Sequence, residues 1–390
     1  MLEKVKDPLV WQEFYEYKLK KKDKDSDALK AWMDEQQYLD LQFSIPRKVE
    51  ISKHSSSKKR IVYVYRKEES YVLKLLTYLL QRKYDAIFSQ NLYSFRPHIG
   101  AKDAIYRLMH TRNMSKKWVY KVDISDYFNS IPIERILSQL KNVLQDDQDV
   151  YGLIKSLLEN PWVDANGKLI EEKKGIMAGT AISTFLANVY LMDLDRYFEE
   201  KQILYARYSD DIIVFGDTQE ALKEAVNYIH SFLKEKGLTI NPKKELYAAP
   251  NEKWTFLGVS YHHGTIDVSD VSVDKLKAKM RRKMRALMRW KAKKGVSGKN
   301  AAKAFIRVFN QKLFENPHEN ELTWVKWYFP MINTIESLQV IDQYAQQCIR
   351  YLISGTHTKA RYNVRYDEIK ALGYRSLVNH YYKSKEEKEV

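Results

Sequence analysis

A mixed α+β fold is predicted for this chain of 390 residues, and three observations carry that expectation. Short β-branched and aromatic runs recur, as in Ile61-Val62-Tyr63-Val64-Tyr65 and Trp118-Val119-Tyr120-Lys121-Val122, which is strand composition. Between them apolar residues recur at spacings of three and four, as in Val72, Leu75, Leu76, Leu79 and Leu80, which is helical periodicity. Strand signals then stop near residue 270 and helical ones continue, so two domains are expected, 1–270 and 271–390.

The elements follow in order. Residues 1–45 are charged and helical in pattern, with a solvated lysine run from Lys18 to Lys22. Ser55-Ser56-Ser57-Lys58-Lys59-Arg60 reads as a polar tip leading into the strand at 61–65, and 68–84 as a helix. The strand at 118–122 ends at Asp123. Helices are expected at 133–145, 148–159 and 180–200, the last as one long helix. A hairpin at 204–215 precedes a helix at 218–236, with Gly237 as its C-cap. Leu238-Thr239-Ile240 and 256–261 read as strands. Beyond 270 come a basic helix, two helical stretches within 322–354, a Tyr- and Arg-rich segment at 362–382, and a fraying end at 383–390.

A net charge of +16 and a pI near 9.4 point to a polyanionic partner, nucleic acid ahead of an acidic membrane surface. One cysteine, Cys348, excludes an intrachain disulfide framework and a Cys-rich zinc site. No signal peptide and no apolar run of the ~20 residues that span a bilayer is seen, so a cytoplasmic protein without membrane contact is expected.

Tyr208-Ser209-Asp210-Asp211 sits between the apolar runs Leu204-Tyr205-Ala206-Arg207 and Ile212-Ile213-Val214-Phe215. Two adjacent carboxylates at a hairpin repel each other, and Asp is a poor strand former. Either the pair only makes a turn, or a divalent cation offsets the repulsion. A third carboxylate, Asp123, is delivered by the end of another strand. Three carboxylates suit Mg²⁺, a hard cation that also takes substrate phosphates. A pair of such ions can activate a primer hydroxyl and hold the leaving pyrophosphate.

From these residues the chain resembles a bacterial reverse transcriptase, related to group II intron and retron enzymes, over residues 58–262. Lys58-Lys59-Arg60-Ile61 resembles the basic fingers segment, and Asn91-Leu92-Tyr93-Ser94-Phe95-Arg96-Pro97 the block that precedes motif A. Lys121 to Phe128 resembles motif A, 175–191 (GIMAGTAISTFLANVYL) motif B, and Tyr208 to Asp211 the YxDD box. Residues 237–245 (GLTINPKKE) resemble motif D, and Phe256-Leu257-Gly258 the primer grip. The resemblance implies a right-hand polymerase with fingers, an RRM-like antiparallel palm sheet and an α-helical thumb. It implies two Mg²⁺ on Asp123, Asp210, Asp211 and the backbone of Ile124, with dNTP substrates. Lys59, Arg60, Ile124, Phe128, Ala178 and Gly179 would line the nucleotide site. Phe128 would exclude a ribose 2′-OH, or else is a core Phe. Lys244 would donate a proton to pyrophosphate; Lys243 is its rival, and an exposed surface charge is the plain reading of either. Arg96 would position template or fingers, or is structural.

Met177-Ala178-Gly179 stands where the family commonly has Pro-Gln-Gly, and no Val-Thr-Gly triplet typical of retron enzymes is seen. About 128 residues follow the primer grip, which leaves little room for a nuclease. Within the resemblance these departures favour the defence-associated "unknown group" and abortive-infection lineages. The expected setting is anti-phage defence in bacterial cytoplasm, with an RNA template or noncoding RNA, a DNA product, a second protein of a defence operon, and a homo-oligomer as an option. Diversity-generating or stand-alone retroelement enzymes, untemplated or protein-templated DNA synthesis, and an RNA-binding maturase-like scaffold are the alternatives.

Residues 274–294 hold eleven Lys or Arg against one acid, with Val273, Leu276, Met280, Met284 and Leu287 forming an apolar seam. Such an amphipathic helix fits a thumb on a phosphate backbone or, less well, a membrane surface. Lys279, Arg282, Lys283 and Arg289 are its expected nucleic-acid contacts. The aromatics Trp324, Trp327, Tyr328 and Phe329 are expected to pack against it.

Overall fold

The computed structural model describes residues 1–20, 42–52, 59–315 and 323–389, the side chains of 18–20 and 388–389 excepted. The lysine run after Tyr17 and the tip at 53–58 therefore lie outside the described side chains. The chain divides into two compact units. One comprises Met1–Arg107 with Lys116–Pro250, the other Leu108–Ser115 with Asn251–Val390.

The first unit carries two four-stranded sheets. The palm sheet is antiparallel, in the spatial order Tyr205–Tyr208, Asp211–Gly216, Trp118–Asp123, Leu246–Ala248. Its central strands are almost wholly buried, with Val122, Ile212, Ile213 and Val214 fully excluded from water. Each such side chain contributes about 1.5–3 kcal/mol of burial, which is how the sheet tolerates the acids at its end. The second sheet runs Lys59–Val64, Arg47–Ser52, Trp162–Ala165, Lys168–Glu171. Helices Lys67–Lys83, Ile133–Val143, Ile182–Tyr190 and Gln219–Glu235 supply most of the covering apolar faces.

Several expectations are corrected here. The helix expected over 180–200 is two helices, Ile182–Tyr190 and Met192–Glu200, broken where Leu191 leaves helical geometry. Residues 238–240 form no strand; only Ile240 bridges, to Ile124. The segment 162–171, unassigned from sequence, is a hairpin turning at Asn166 and Gly167, both left-handed (φ 56° and 85°), as a two-residue Asn-Gly turn requires.

The second unit opens with a three-stranded antiparallel sheet, Trp254–Phe256, Val259–His262 and Thr265–Val268. The run expected as one strand at 256–261 is therefore cut by a turn at Leu257 and Gly258 (φ 48° and 86°). A Cβ at Gly258 would lie 2.9 Å from the Tyr328 hydroxyl. These strands belong with the helices that follow: Asn333 bonds Ile266 and Gly264, and Ser337 bonds Asp267. The unit boundary is thus at 250, not 270. Helices Asp270–Lys294, Gly298–Leu313 and Glu336–Ser354 pack together, and Leu377–Glu389 runs through the segment expected to fray. Among the described residues no helix is long and apolar enough to cross a membrane.

Candidate active site

Asp123 and Asp211 are directly opposed in the register of the two central palm strands. Like charges in that relation destabilise a sheet, so the pair needs a cation. The hairpin that carries Asp211 turns through Ser209 and Asp210, because Tyr208 pairs with Asp211. Ser209 is left-handed (φ 61°), an uncommon conformation for a residue with a Cβ. It is clamped on both sides. Its N–H donates to Ser94 Oγ at 2.8 Å, and its carbonyl accepts from Arg207 Nη1 at 3.2 Å. Ser94 is in turn held by Asn188, through Oδ1 at 3.2 Å and Nδ2 at 2.8 Å. Arg207 is fully buried and doubly bonded to the equally buried Asp195, at 2.5 and 2.8 Å.

Cations stand at the carboxylates. The Lys244 ammonium bonds both oxygens of Asp123, one of them at 2.6 Å. Lys121 lies 3.5 Å from Asp211. Burial works against the Lys244 charge, but its bond to Asp123 outweighs that and holds its pKa above the ordinary lysine value. Asp210 is pushed above the usual carboxylate range by burial first and then by Asp123. Among the described residues the three acids do not close into a ready three-ligand cage. Two carboxylates on one sheet face nevertheless fit Mg²⁺, which takes one or two from a protein and fills the rest with water and phosphate oxygens. Ile124 donates its N–H to the Asp210 carbonyl at 3.1 Å; its own carbonyl is the hard ligand it can offer.

Phe128 is half-buried at the end of the motif A turn, edge-on to Phe95 at 6.4 Å, and Phe95 leans on Tyr208 at 6.3 Å. An aromatic chain thus joins motif A to the Asp hairpin. Phe95 is itself left-handed (φ 55°), strain of the kind that gathers at functional sites. Gly175 (φ 53°) presses on the same turn: a Cβ there would collide with the Phe128 carbonyl oxygen. Asn129 ties three segments together. Its Nδ2 donates to the Ile61 carbonyl at 3.3 Å and to Asp126 at 3.2 Å, and its Oδ1 accepts the Ala178 N–H at 3.2 Å.

Other expected residues are placed differently. Ala178 is buried, its carbonyl bonded by the Tyr63 N–H at 2.7 Å, so it presents no side-chain surface to a nucleotide. Gly179 (φ 101°) serves a close approach to this chain's own strand, with a Cβ position 2.9 Å from Val62 Cβ. Arg96 is structural: its guanidinium forks onto Asp85 at 2.8 and 2.9 Å and bonds the Ser89 carbonyl. It is not placed to bind nucleic acid. Lys59 and Arg60 are exposed, and Lys59 bonds Glu50 at 2.6 Å. Successive strand side chains point to opposite faces, so one sheet face takes only one of the two. In the second unit Lys279, Arg282 and Arg289 are exposed and Lys283 half-buried.

The supporting residues Ser94, Asn129, Asn188, Asp195 and Arg207 carry no role in the sequence reading. A signal existed for two of them. Arg207 is a charge inside an apolar strand, and Asp195 sits in the apolar stripe of Leu191, Leu194 and Phe198.

Residues 51–261, more than half of the chain, match the family model described as reverse transcriptase (RNA-dependent DNA polymerase). The chain belongs to the reverse transcriptase family. Its relatives include the putative COX1/OXI3 intron 2 protein of Saccharomyces cerevisiae, 26% identical over 275 residues (55% of this chain, 32% of that protein). The retron Ec86 reverse transcriptase of Escherichia coli is 22% identical over 189 residues (47% of this chain, 50% of that one). The group II intron-encoded protein LtrA of Lactococcus lactis is 22% identical over 191 residues (49% and 31%). This reverse transcriptase chain spans about a third of the length of the intron proteins it matches. In fold it is similar to apo telomerase from Candida tropicalis, with a TM-score of 0.50 at 13% identity, covering 80% of this chain and 58% of that one. That likeness supports the right-hand polymerase fold.

Proposed function

We propose that the palm site performs RNA-directed DNA synthesis with two Mg²⁺ held by Asp123, Asp210, Asp211 and the Ile124 carbonyl. The carrying observation is the opposition of Asp123 and Asp211 in register, beside the clamped turn that fixes Asp210. When bound, the ions supply activation of the primer 3′-hydroxyl and charge neutralisation at the triphosphate. The chain's own residues do the rest. Phe128, wedged against Phe95, fills the space beside a deoxyribose and excludes a 2′-hydroxyl. Lys244, on leaving Asp123, holds a proton for the departing pyrophosphate. One of Lys59 and Arg60 meets the triphosphate, and the template is RNA.

For the setting we propose anti-phage defence with a noncoding RNA, supported by Met177-Ala178-Gly179 in motif B. The retroelement reading stands beside it, favoured by the intron proteins and the retron enzyme among the relatives.

Primer extension on an RNA template tests the chemistry. Asp210→Asn with Asp211→Asn is expected to lower dNTP incorporation at least ~10³-fold with the melting temperature unchanged, and Phe128→Ala to raise rNTP incorporation relative to dNTP about tenfold. Extension by the double variant at the parent rate would refute the site assignment.

A further inference from the structure

The second unit holds a basic groove of about 400 Å³ between helices Asp270–Lys294 and Glu336–Ser354. One wall is Arg281, Arg285 and Arg289, spaced by four residues on one helix; the other is Tyr344, Tyr351 and His357. Four residues advance a helix by about 6 Å, so the guanidinium groups form a row that steps with the phosphates of an extended strand. Arg281 is fixed by its bond to the Tyr344 hydroxyl at 3.1 Å. Among the described residues no carboxylate pairs with Arg285 or Arg289, and both are exposed. His357 lies flat on Tyr351, centroids 3.8 Å apart and planes within 15°. The outer face of the exposed His357 ring continues that stack toward solvent.

A row of three guanidinium groups facing a stacked aromatic pair combines the two devices that hold single strands: backbone charge and sequence-tolerant base stacking. We infer that this groove binds a single strand of nucleic acid, with phosphates on Arg281, Arg285 and Arg289 and a base on His357. A duplex has its bases already stacked and gains nothing from His357. The face is distinct from the one expected from sequence, which placed the contacts at Lys279, Arg282 and Lys283. Only Arg289 is common to both. The inference does not depend on polymerase activity.

The test is anisotropy titration of a fluorescent twelve-nucleotide oligouridine RNA, against a duplex RNA of equal length. It is done with the full chain carrying Asp210→Asn and Asp211→Asn, so that a failure here is separable from a failure of the palm reading. Arg285→Gln with Arg289→Gln is expected to weaken single-strand binding at least ~tenfold. The slope of log affinity against log salt should fall by about 1.4, the value for two lost phosphate contacts on a single strand. His357→Ala should weaken binding several-fold to ~tenfold at unchanged slope. Lys293→Gln with Lys294→Gln, the same charge removed outside the groove, should cost less than threefold. Three results would each overturn the proposal: equal losses for the two charge pairs, no loss with His357→Ala, or equal affinity for duplex and single strand.

Discussion

The palm and the helix Asp270–Lys294 handle charge in opposite ways. At the palm, fold geometry forces carboxylates together, and a cation answers two of the acids: Lys244 at Asp123 and Lys121 at Asp211. Below them Arg207 and Asp195 cancel completely out of water. On the basic helix eleven cations, most of them exposed, stand with only two acids, Asp270 and Asp274. The difference is one of solvation. The acids at the palm are buried or half-buried, where an unpaired charge is costly. Charges on the helix keep their water and need no partner, which leaves them available to one. A site already neutralised exchanges cations; a site left bare acquires a polyanion.

The largest effect should come from unbalancing the buried pair. Asp195→Ala would leave Arg207 charged and dry beneath the turn, a loss of roughly 3–5 kcal/mol, read in urea unfolding. Removing a cation from the other region, as in Arg285→Gln, should change stability by less than about 0.5 kcal/mol. Equal effects would erase the comparison. A smaller effect is expected at the exchangeable cation. Lys244→Gln should tighten Mn²⁺ binding several-fold in the absence of nucleotide, measured by electron paramagnetic resonance titration, while nucleotide incorporation falls. The exposed neighbour change Lys243→Gln should do less, and unaltered Mn²⁺ affinity in Lys244→Gln would show that the lysine does not stand in the cation's place. A further test concerns the palm unit's exception. Lys174 is buried and, among the described residues, bonds only the Asn160 carbonyl, and burial lowers its pKa to about 8. A lysine lowered in the folded state opposes folding fully below that pKa, and the opposition fades as pH rises toward the unfolded value near 10.4. The melting temperature of the parent should therefore gain on that of Lys174→Met between pH 7 and 10. A constant difference across that range would mean the ammonium is better solvated than its burial indicates.

The palm strands were legible because their signals are local. Apolar runs flank the Asp pair, and Asp123 ends a β-branched strand, so residues alone place the acids at a strand end and a facing hairpin turn. The Asn166-Gly167 hairpin carries an equally local signal, flanked by Trp162-Val163 and Leu169-Ile170. The break at Leu191 could not be read, because helical periodicity continues across it and only the backbone departs. The second unit's boundary was misplaced for a related reason. Strand signals stop at 270, but it is packing of the three-stranded sheet on later helices that assigns 251–268 to that unit. Arg96 and Ala178 show the limit of motif reading: position in a motif does not tell whether a side chain faces substrate or a neighbour, and here the Asp85 fork and the burial of Ala178 decide it. The support beneath the turn was hidden because its members are up to 115 residues apart in sequence.

The clamp on Ser209 has a consequence for how this box tolerates change. Ser94 and Arg207 hold its main-chain N–H and carbonyl, groups that every residue but proline possesses. The side chain contributes nothing to that grip, and its burial limits only its size. The second position of the box is therefore chemically silent yet volume-restricted, and sequence drift there among small residues leaves the two following aspartates where they are.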